Sequence, residues 1–246
     1  MSPPQIPPVS LYPADFETSF PTVSPNSPPF PFLIPLSHTT KRISLIPLSV
    51  NHIPDLWKHV GGAENYMLYK YMPGGPFNTI EEFTIYLRWL IESSQSGFVN
   101  WTIVLPSGEA VGIISLLNIV PLQRRIEVGH VLFSKSLQRT TEATEACYVL
   151  MEYVFGLGYE RVEWKCNAQN KGSKRAAERL GFVEEGVFRR HMVIRGRTRD
   201  SWYGSVILEE MGVVRKALVE WLKVENFDEE GRQKRKVEEI REELGR

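Results

Sequence analysis

Only two cysteines, Cys147 and Cys166, occur in 246 residues. One falls in an expected helix and the other in an expected strand, and their spacing suits neither a disulfide framework nor a metal knuckle. They read as buried thiols of a reducing compartment. The five histidines, His38, His52, His59, His130 and His191, form no HExxH pair and no cluster with the cysteines, so no metal site is expected. Charge excess is absent too. The 29 basic residues balance 29 acidic ones, which leaves no global field toward nucleic acid or a membrane surface. No apolar run approaches the roughly 18 residues of a membrane span. The first basic residue is Lys41, and prolines interrupt the early apolar stretches, unlike a secretory signal. The expectation is a soluble cytoplasmic protein, monomeric or homodimeric, with no nucleic-acid or membrane partner.

Familiar catalytic signatures are missing as well. Gly156-Leu157-Gly158 ends a helical pattern, with no strand before it and no third glycine, so it is no dinucleotide fingerprint. Gly181–Gly186 has the spacing of a phosphate-loop start, but Val187-Phe188 follows where Lys-Ser/Thr is needed. No GxSxG elbow is present.

What is present begins with proline. Eleven of the 17 prolines lie in residues 1–36, a stretch that reads as a disordered arm (residues 1–38), mobile or extended, because proline cannot supply ladder donors. Arg42–Pro47 reads as a strand and Asn51–Val60 as a helix stopped by Gly61-Gly62. A tyrosine-rich loop follows. Thr79 with Glu82 forms a capping box before the spacing Ile80, Phe83, Leu87, Leu90 (or Ile91). WTIVL and EAVGIISLLNIV flank Pro106-Ser107-Gly108 as an antiparallel hairpin. Arg124–Phe133 alternates, which predicts Ile126, Val128, His130 and Leu132 on one face and Glu127, Gly129, Val131 and Phe133 on the other. A helix with the stripe Ala146, Leu150, Tyr153 or Val154, and Leu157 comes next. Then come strand VEWKC, helix SKRAAERL and two strands, GVFRRHMVI and SWYGSVIL, about the turn RGRTRD. From Glu209 the tail is helical. Met211, Val214, Leu218 and Leu222 are spaced to dock it, while residues 229–246 read as a solvated, charged helix. The strand–helix–strand unit 124–166 predicts two parallel neighbours.

The start of the central helix carries the functional signal. It reads Gln138-Arg139-Thr140-Thr141-Glu142-Ala143. A helix start leaves about four N–H groups unpaired and carries roughly half a positive charge, so a phosphate or pyrophosphate fits there. Thr140 or Thr141 can cap, and Arg139 adds charge. The plain alternative is a capped structural helix, with Glu142 and Glu145 already answering the dipole; they repel phosphate unless they point away from it.

This loop, with Glu127-Val128-Gly129 on the strand before it, Asn170-Lys171-Gly172-Ser173 after it and Gly181-Phe182 beyond, resembles the GNAT superfamily of acyl-CoA-dependent N-acyltransferases. The likeness spans roughly residues 40–210 and is closest to the branch containing the ribosomal-protein N-terminal acetyltransferases. In that family the loop pattern is Gln/Arg-x-x-Gly-x-Gly/Ala. Gln138 and Ala143 match it, and Thr141 stands where glycine is usual. The resemblance implies an α/β (α+β) GNAT fold: a mixed, mostly antiparallel central sheet with a splayed parallel strand pair and helices on both faces. It implies a domain over 39–210, flanked by the arm and by a charged helical extension, 211–246.

The resemblance also implies acetyl-CoA as co-substrate. Gln138, Arg139, Thr140, Thr141, Glu142 and Ala143 would meet its pyrophosphate. The backbone of Val131, Leu132 and Phe133 would meet its pantetheine arm, and Asn170 and Ser173 would contact the cofactor as well. The implied reaction is direct attack by a primary amine, on a protein N-terminus or a small molecule. Glu127 is the candidate base and Ser173 the candidate acid. The plain readings are a strand carboxylate paired with Arg124 or Arg125, and an N-cap for helix 174–180. Ala177 stands where many relatives carry a tyrosine acid. Eight basic residues in 174–199, among them Arg175, Arg189 and Arg199, offer contacts to the CoA 3′-phosphate or a solvated face. Tyr66, Tyr69, Tyr71, Trp89 and Trp202 are candidates for the acceptor site or for core. A non-catalytic acyl-CoA sensor or scaffold on the same fold is the competing reading.

Overall fold

The computed structural model describes residues 26–95 and 97–245. Eight strands form one sheet in the order β1-β2-β3-β4-β5-β6-β8-β7. They are β1 (Leu36–Ser37), β2 (Ser44–Pro47), β3 (Val99–Val104), β4 (Ala110–Val120), β5 (Arg125–Phe133), β6 (Arg161–Asn167), β7 (Val183–Ile194) and β8 (Arg197–Ile207). Every neighbouring pair is antiparallel except β5 with β6. Helices α1 (Ile53–Val60) and α2 (Ile80–Glu92) cover one face. The other face is covered by α3 (Thr141–Gly156), α4 (Lys171–Leu180), α5 (Leu208–Trp221) and α6 (Val237–Leu244). The mixed sheet, the single parallel pair and the two helical layers are those the family likeness implies.

Each face has its own core. Ile53, Leu56 and Val60 of α1 meet Phe83, Leu87 and Leu90 of α2 over Ile113 and Leu132, at the helical spacing legible in the sequence. Thr79 caps α2, accepting from Glu82 N at 3.3 Å; Glu82 reaches back to Asn78 N at 2.9 Å. On the opposite face α3 is buried nearly all round, from Ala143 to Phe155, because it lies between the sheet, α5 and the chain before β2.

Several elements differ from expectation. Residues 1–25 of the expected disordered arm lie outside the described residues, while residues 26–35 of it are docked and run extended against α3 and β3. Tyr153 donates its hydroxyl to Phe32 O at 2.9 Å, Trp101 Nε1 to Ile34 O at 2.8 Å, and Tyr159 to Pro29 O at 3.2 Å. Carbonyls accept what proline nitrogens cannot donate. The final stretch is no free solvated helix. Val237 and Ile240 of α6 are buried, and Arg241 donates to the carbonyls of Arg179 and Glu178 at 2.8 and 3.1 Å. The last hairpin turns on two residues only, Arg195 and Gly196, both at positive φ, as a tight hairpin of this twist requires. No helix among the described residues is long and apolar enough to cross a membrane.

Candidate active site

β5 and β6 are laddered for four residues, from Arg125↔Arg161 to Val128↔Trp164, and no further. Beyond that point β6 stays paired to β8 through Asn167↔Ser201, while β5 stays with β4 through Phe133↔Gly112. The two parallel strands therefore part company and leave an open wedge. Across it, the backbone of Val131–Phe133 has no strand partner on the β6 side. The Phe133 carbonyl accepts from Gln138 Nε2 at 3.0 Å.

A bulge sits at the mouth of the wedge. The register against β4 jumps from Ser115↔Gly129 to Ile113↔Leu132, and His130 has φ +49°. One extra residue reverses the alternation beyond it. Leu132 consequently joins the α1/α2 core, while Val131 packs with the α3 side. The predicted faces of β5 hold only as far as Gly129, and Glu127 does not share a face with Val131. His130 turns toward α2, where its Nε2 lies 2.7 Å from the Tyr86 hydroxyl and the two rings stack. Burial pushes the His130 imidazole down to about 4, so it is neutral in its hydrogen bond with Tyr86.

Glu127 lies on the α1/α2 face just before the bulge. It is 2% exposed. Its partner is Lys165 at 3.1 Å, not Arg124 or Arg125, and Asn118 Nδ2 donates to it at 2.6 Å. Burial raises its pKa, opposed by Lys165 and Asn118. Gly129 has a steric reason to follow it two residues on. A Cβ there would meet Leu117 at 2.9 Å and the Glu127 carboxylate at 3.1 Å. Lys165 also lies over the Tyr203 ring.

Ser173 stands on the other side of the sheet. It does not cap its helix. Asn170 does, its Oδ1 accepting from Ser173 N at 3.2 Å, since the helix begins at Lys171 and not at Lys174. The Ser173 hydroxyl accepts from Trp164 Nε1 at 3.0 Å and lies beside the Cys166 thiol, whose pKa burial raises. Trp164 is the last β6 residue laddered to β5. Glu127 and Ser173 thus flank the wedge from opposite faces.

The start of α3 lies at the top of the same wedge. Thr140 is the cap, its Oγ1 accepting from Ala143 N at 3.2 Å. Among the described residues the backbone N–H groups of Thr141 and Glu142 donate to nothing. The two nearby carboxylates differ: Glu142 stays at the helix start and Glu145 does not. Glu142 accepts from the Thr141 hydroxyl at 2.9 Å. Glu145 is fully buried and turned away, accepting from Thr40 Oγ1 and from the backbone N–H of Arg42 at 3.1 Å and Ile43 at 3.4 Å. Gln138 and Arg139 are exposed beside this start. Free amides, a helix dipole and one nearby arginine are groups that attract an anion, with the Glu142 carboxylate beside them.

Of the aromatic candidates, Tyr69 and Trp202 are core, 1% exposed each, and Trp202 is on the α3 side of the sheet. Tyr66 and Trp89 are about half exposed. Tyr71 donates to Gln169 O at 3.2 Å, joining the loop before α2 to the end of β6. The β7–β8 turn docks there as well: Arg195 donates to the carbonyls of Tyr69, Met72 and Gly74 at 3.2, 2.9 and 2.9 Å. Lys165, Asn118, Trp164 and Tyr86 were not singled out from the sequence. Lys165 was legible in VEWKC, where it alternates with the buried Trp164 and Cys166; the others depend on strand register.

The description "Acetyltransferase (GNAT) domain" matches residues 42–183. The crystal structure of a GCN5-related N-acetyltransferase from Brucella melitensis superimposes with a TM-score of 0.84 at 33% identity, over 89% of this chain and 99% of that one. A GNAT-family protein from Chromobacterium violaceum ATCC 12472 gives 0.72 at 31% identity, over 86% and 100%. "Putative ribosomal N-acetyltransferase YdaF" of Bacillus subtilis (strain 168) is 32% identical over 108 residues, which is 44% of this chain and 58% of that relative's length. A domain match over more than half of the chain, together with full-length structural relatives above 30% identity, places this protein in the GNAT family of acetyltransferases.

Proposed function

We propose that this protein transfers the acetyl group of acetyl-CoA to a primary amine by direct attack in a ternary complex. The observation that carries the reading is the coincidence at one wedge of three things: unladdered β5 backbone, free amides at the α3 start, and Glu127 and Ser173 on opposite sides.

Gln138–Ala143 hold the diphosphate, and the backbone of Val131–Phe133 aligns the pantetheine arm as an added strand would. Acetyl-CoA supplies the thioester. The amine, with a solution pKa near 10, must reach the carbonyl carbon unprotonated, and Glu127 takes its proton through water. A carboxylate with a raised pKa suits that task better than an ordinary one. As the C–N bond forms, a backbone N–H of the splayed β5 segment stabilises the oxyanion. As the C–S bond breaks, Ser173 gives its hydroxyl proton to the thiolate and recovers it from solvent. Its oxygen accepts from Trp164, and its O–H, which lies against the Cys166 thiol, turns to the CoA thiolate as that charge develops. Ala177 removes the tyrosine alternative.

Incubation with acetyl-CoA and a panel of amines, read by intact mass and CoA release, tests the reading: amine-dependent release with one acetyl group gained sustains it. One observation favours the second reading, an acyl-CoA sensor. Glu127 is nearly inaccessible and already ion-paired. That reading predicts thermal stabilisation by acetyl-CoA, roughly 2.7 kcal/mol at 100-fold excess over Kd, with slow release that no amine accelerates.

A further inference from the structure

We infer that Arg199 is an anion-binding residue of the acceptor site, and that the amine acetylated here carries a carboxylate close to its amino group. The inference rests on the acetyltransferase reading above and adds to it the chemical class of the acceptor.

Arg199 lies on β8, alternating with Ser201 and Tyr203 onto the face opposite the buried Trp202. That is the face of Glu127 and Lys165. Tyr203, Phe188 and His191 form a ring cluster on it, with Phe188 and Tyr203 centroids 4.5 Å apart and His191 Nδ1 held 3.0 Å from Ser201 Oγ. Arg199 is half-buried beside this cluster, and its Nε is buried without a hydrogen-bond partner. Its guanidinium takes part in no ion pair or hydrogen bond with any described residue. Other arginines of the region are committed. Arg161 is shared by Glu163 and Glu185, and Arg195 is spent on three carbonyls.

The carboxylates that could neutralise Arg199 are committed too. Glu127 lies within electrostatic reach but holds Lys165 and Asn118. Asp200, the next residue in sequence, accepts from Arg190 N at 2.6 Å. Burial disfavours the charge on Arg199, yet a guanidinium does not release its proton in a protein. A partly buried cation without an anion is costly, and a ligand carboxylate, matched to the guanidinium fork, removes that cost. The position agrees. Arg199 stands where β6 has ended and Ala168 N donates to Asp200 O, on the acceptor side of the sheet, beyond the Glu127–Lys165 pair. An amine brought to Glu127 from this side passes it.

Two sources supply such a carboxylate: an acidic residue near a peptide N-terminus, or the α-carboxylate of an amino acid. Two matched pairs separate them. Ala-Glu-Ala amide is compared with Ala-Gln-Ala amide, and alanine with alaninamide, as acceptors for wild type, Arg199→Gln and Arg199→Lys. In one pair the charged member has a kcat/KM roughly ten- to hundredfold higher with wild type, the range of a charge-assisted contact. Arg199→Gln erases the difference, chiefly through KM, and Arg199→Lys restores part of it. Affinity for acetyl-CoA stays the same in all three. No preference in wild type, a preference that survives Arg199→Gln, or weakened acetyl-CoA binding overturns the proposal. Calorimetry with the unreactive N-acetylated forms of the same four compounds, in the presence of CoA, reads the anion site without turnover. Tighter binding of a charged form that Arg199→Gln abolishes sustains the site even if no amine is acetylated, an outcome that would sink only the transferase reading. Equal binding of charged and neutral forms overturns the site.

Discussion

Glu145 decides whether the α3 start is free for an anion. It sits in the second turn of α3, fully buried, and ties down the chain entering β2: Thr40 Oγ1, Arg42 N at 3.1 Å, Ile43 N at 3.4 Å and Arg42 Nη1 at 3.5 Å. Glu145→Ala leaves two backbone donors without an acceptor, while the exposed Thr40 hydroxyl keeps His38 and water. An orphaned buried donor costs about 1–3 kcal/mol, and Arg42 is 20% exposed, so its guanidinium can turn to water and adds little. The sum is about 3 kcal/mol, which for a chain of this size lowers Tm by roughly 6–12 °C. Glu145→Gln keeps the shape and one acceptor oxygen and loses about half as much. Because the carboxylate faces away from the helix start, acetyl-CoA affinity of Glu145→Gln, by calorimetry below the melting range, stays within about twofold of wild type. Tenfold tighter binding would mean that the charge faces the phosphates, and an unchanged Tm would mean that the buried network is not formed; either result refutes the reasoning.

Glu127→Gln lowers kcat by about 10²–10⁴, the usual contribution of a positioned base, as read by CoA release. Burial raises the Glu127 pKa and Lys165 opposes that rise. The ionised base is the active form, so activity falls as pH drops through a pKa above the ordinary carboxylate range, and Lys165→Met moves that acid limb of kcat/KM to higher pH. A limb that stays put, or moves down, contradicts the pairing. Ser173→Ala lowers kcat with little change in Tm, whereas Asn170→Ala, which removes the true cap, costs about 1 kcal/mol of stability; melting curves tell the two apart. Arg241→Ala strips two charge-assisted bonds from the end of α4 and lowers stability by about 1–3 kcal/mol in urea unfolding; an unchanged midpoint contradicts the docking of α6.

The order of strands and helices was legible because apolar spacing changes from helical to alternating wherever an element changes, as between Leu90 and Val99. The tie to Gly129 was half legible. The sequence has the glycine, but only the approach of Leu117 and the Glu127 carboxylate explains it. The bulge at His130 was not legible, because nothing in RRIEVGHVLF announces that one residue will be skipped, and the skip moves Leu132 and Val131 to opposite cores. The position of the α4 cap was missed by three residues because asparagine and serine both suit it. The docking of α6 was hidden by composition: in EEGRQKRKVEEIREELGR two apolar residues, Val237 and Ile240, are enough once Arg241 reaches the last carbonyls of α4. Arg199 was visible only as one of eight basic residues, and its lack of a partner is a three-dimensional fact.

The central claim is that free backbone amides at the start of α3 hold the diphosphate of acetyl-CoA. Thr141 is the first helical residue, preceded by Thr140 in extended geometry (φ −106°, ψ 168°), so proline is compatible with both positions. Thr141→Pro deletes one N–H while keeping the helix, and Thr141→Gly keeps the N–H while opening space. Calorimetric titration of acetyl-CoA into both variants, folded and at matched temperature, is the direct measurement. Thr141→Pro loses roughly ten- to hundredfold in affinity, and Thr141→Gly loses none. Wild-type affinity in a folded Thr141→Pro protein would contradict it.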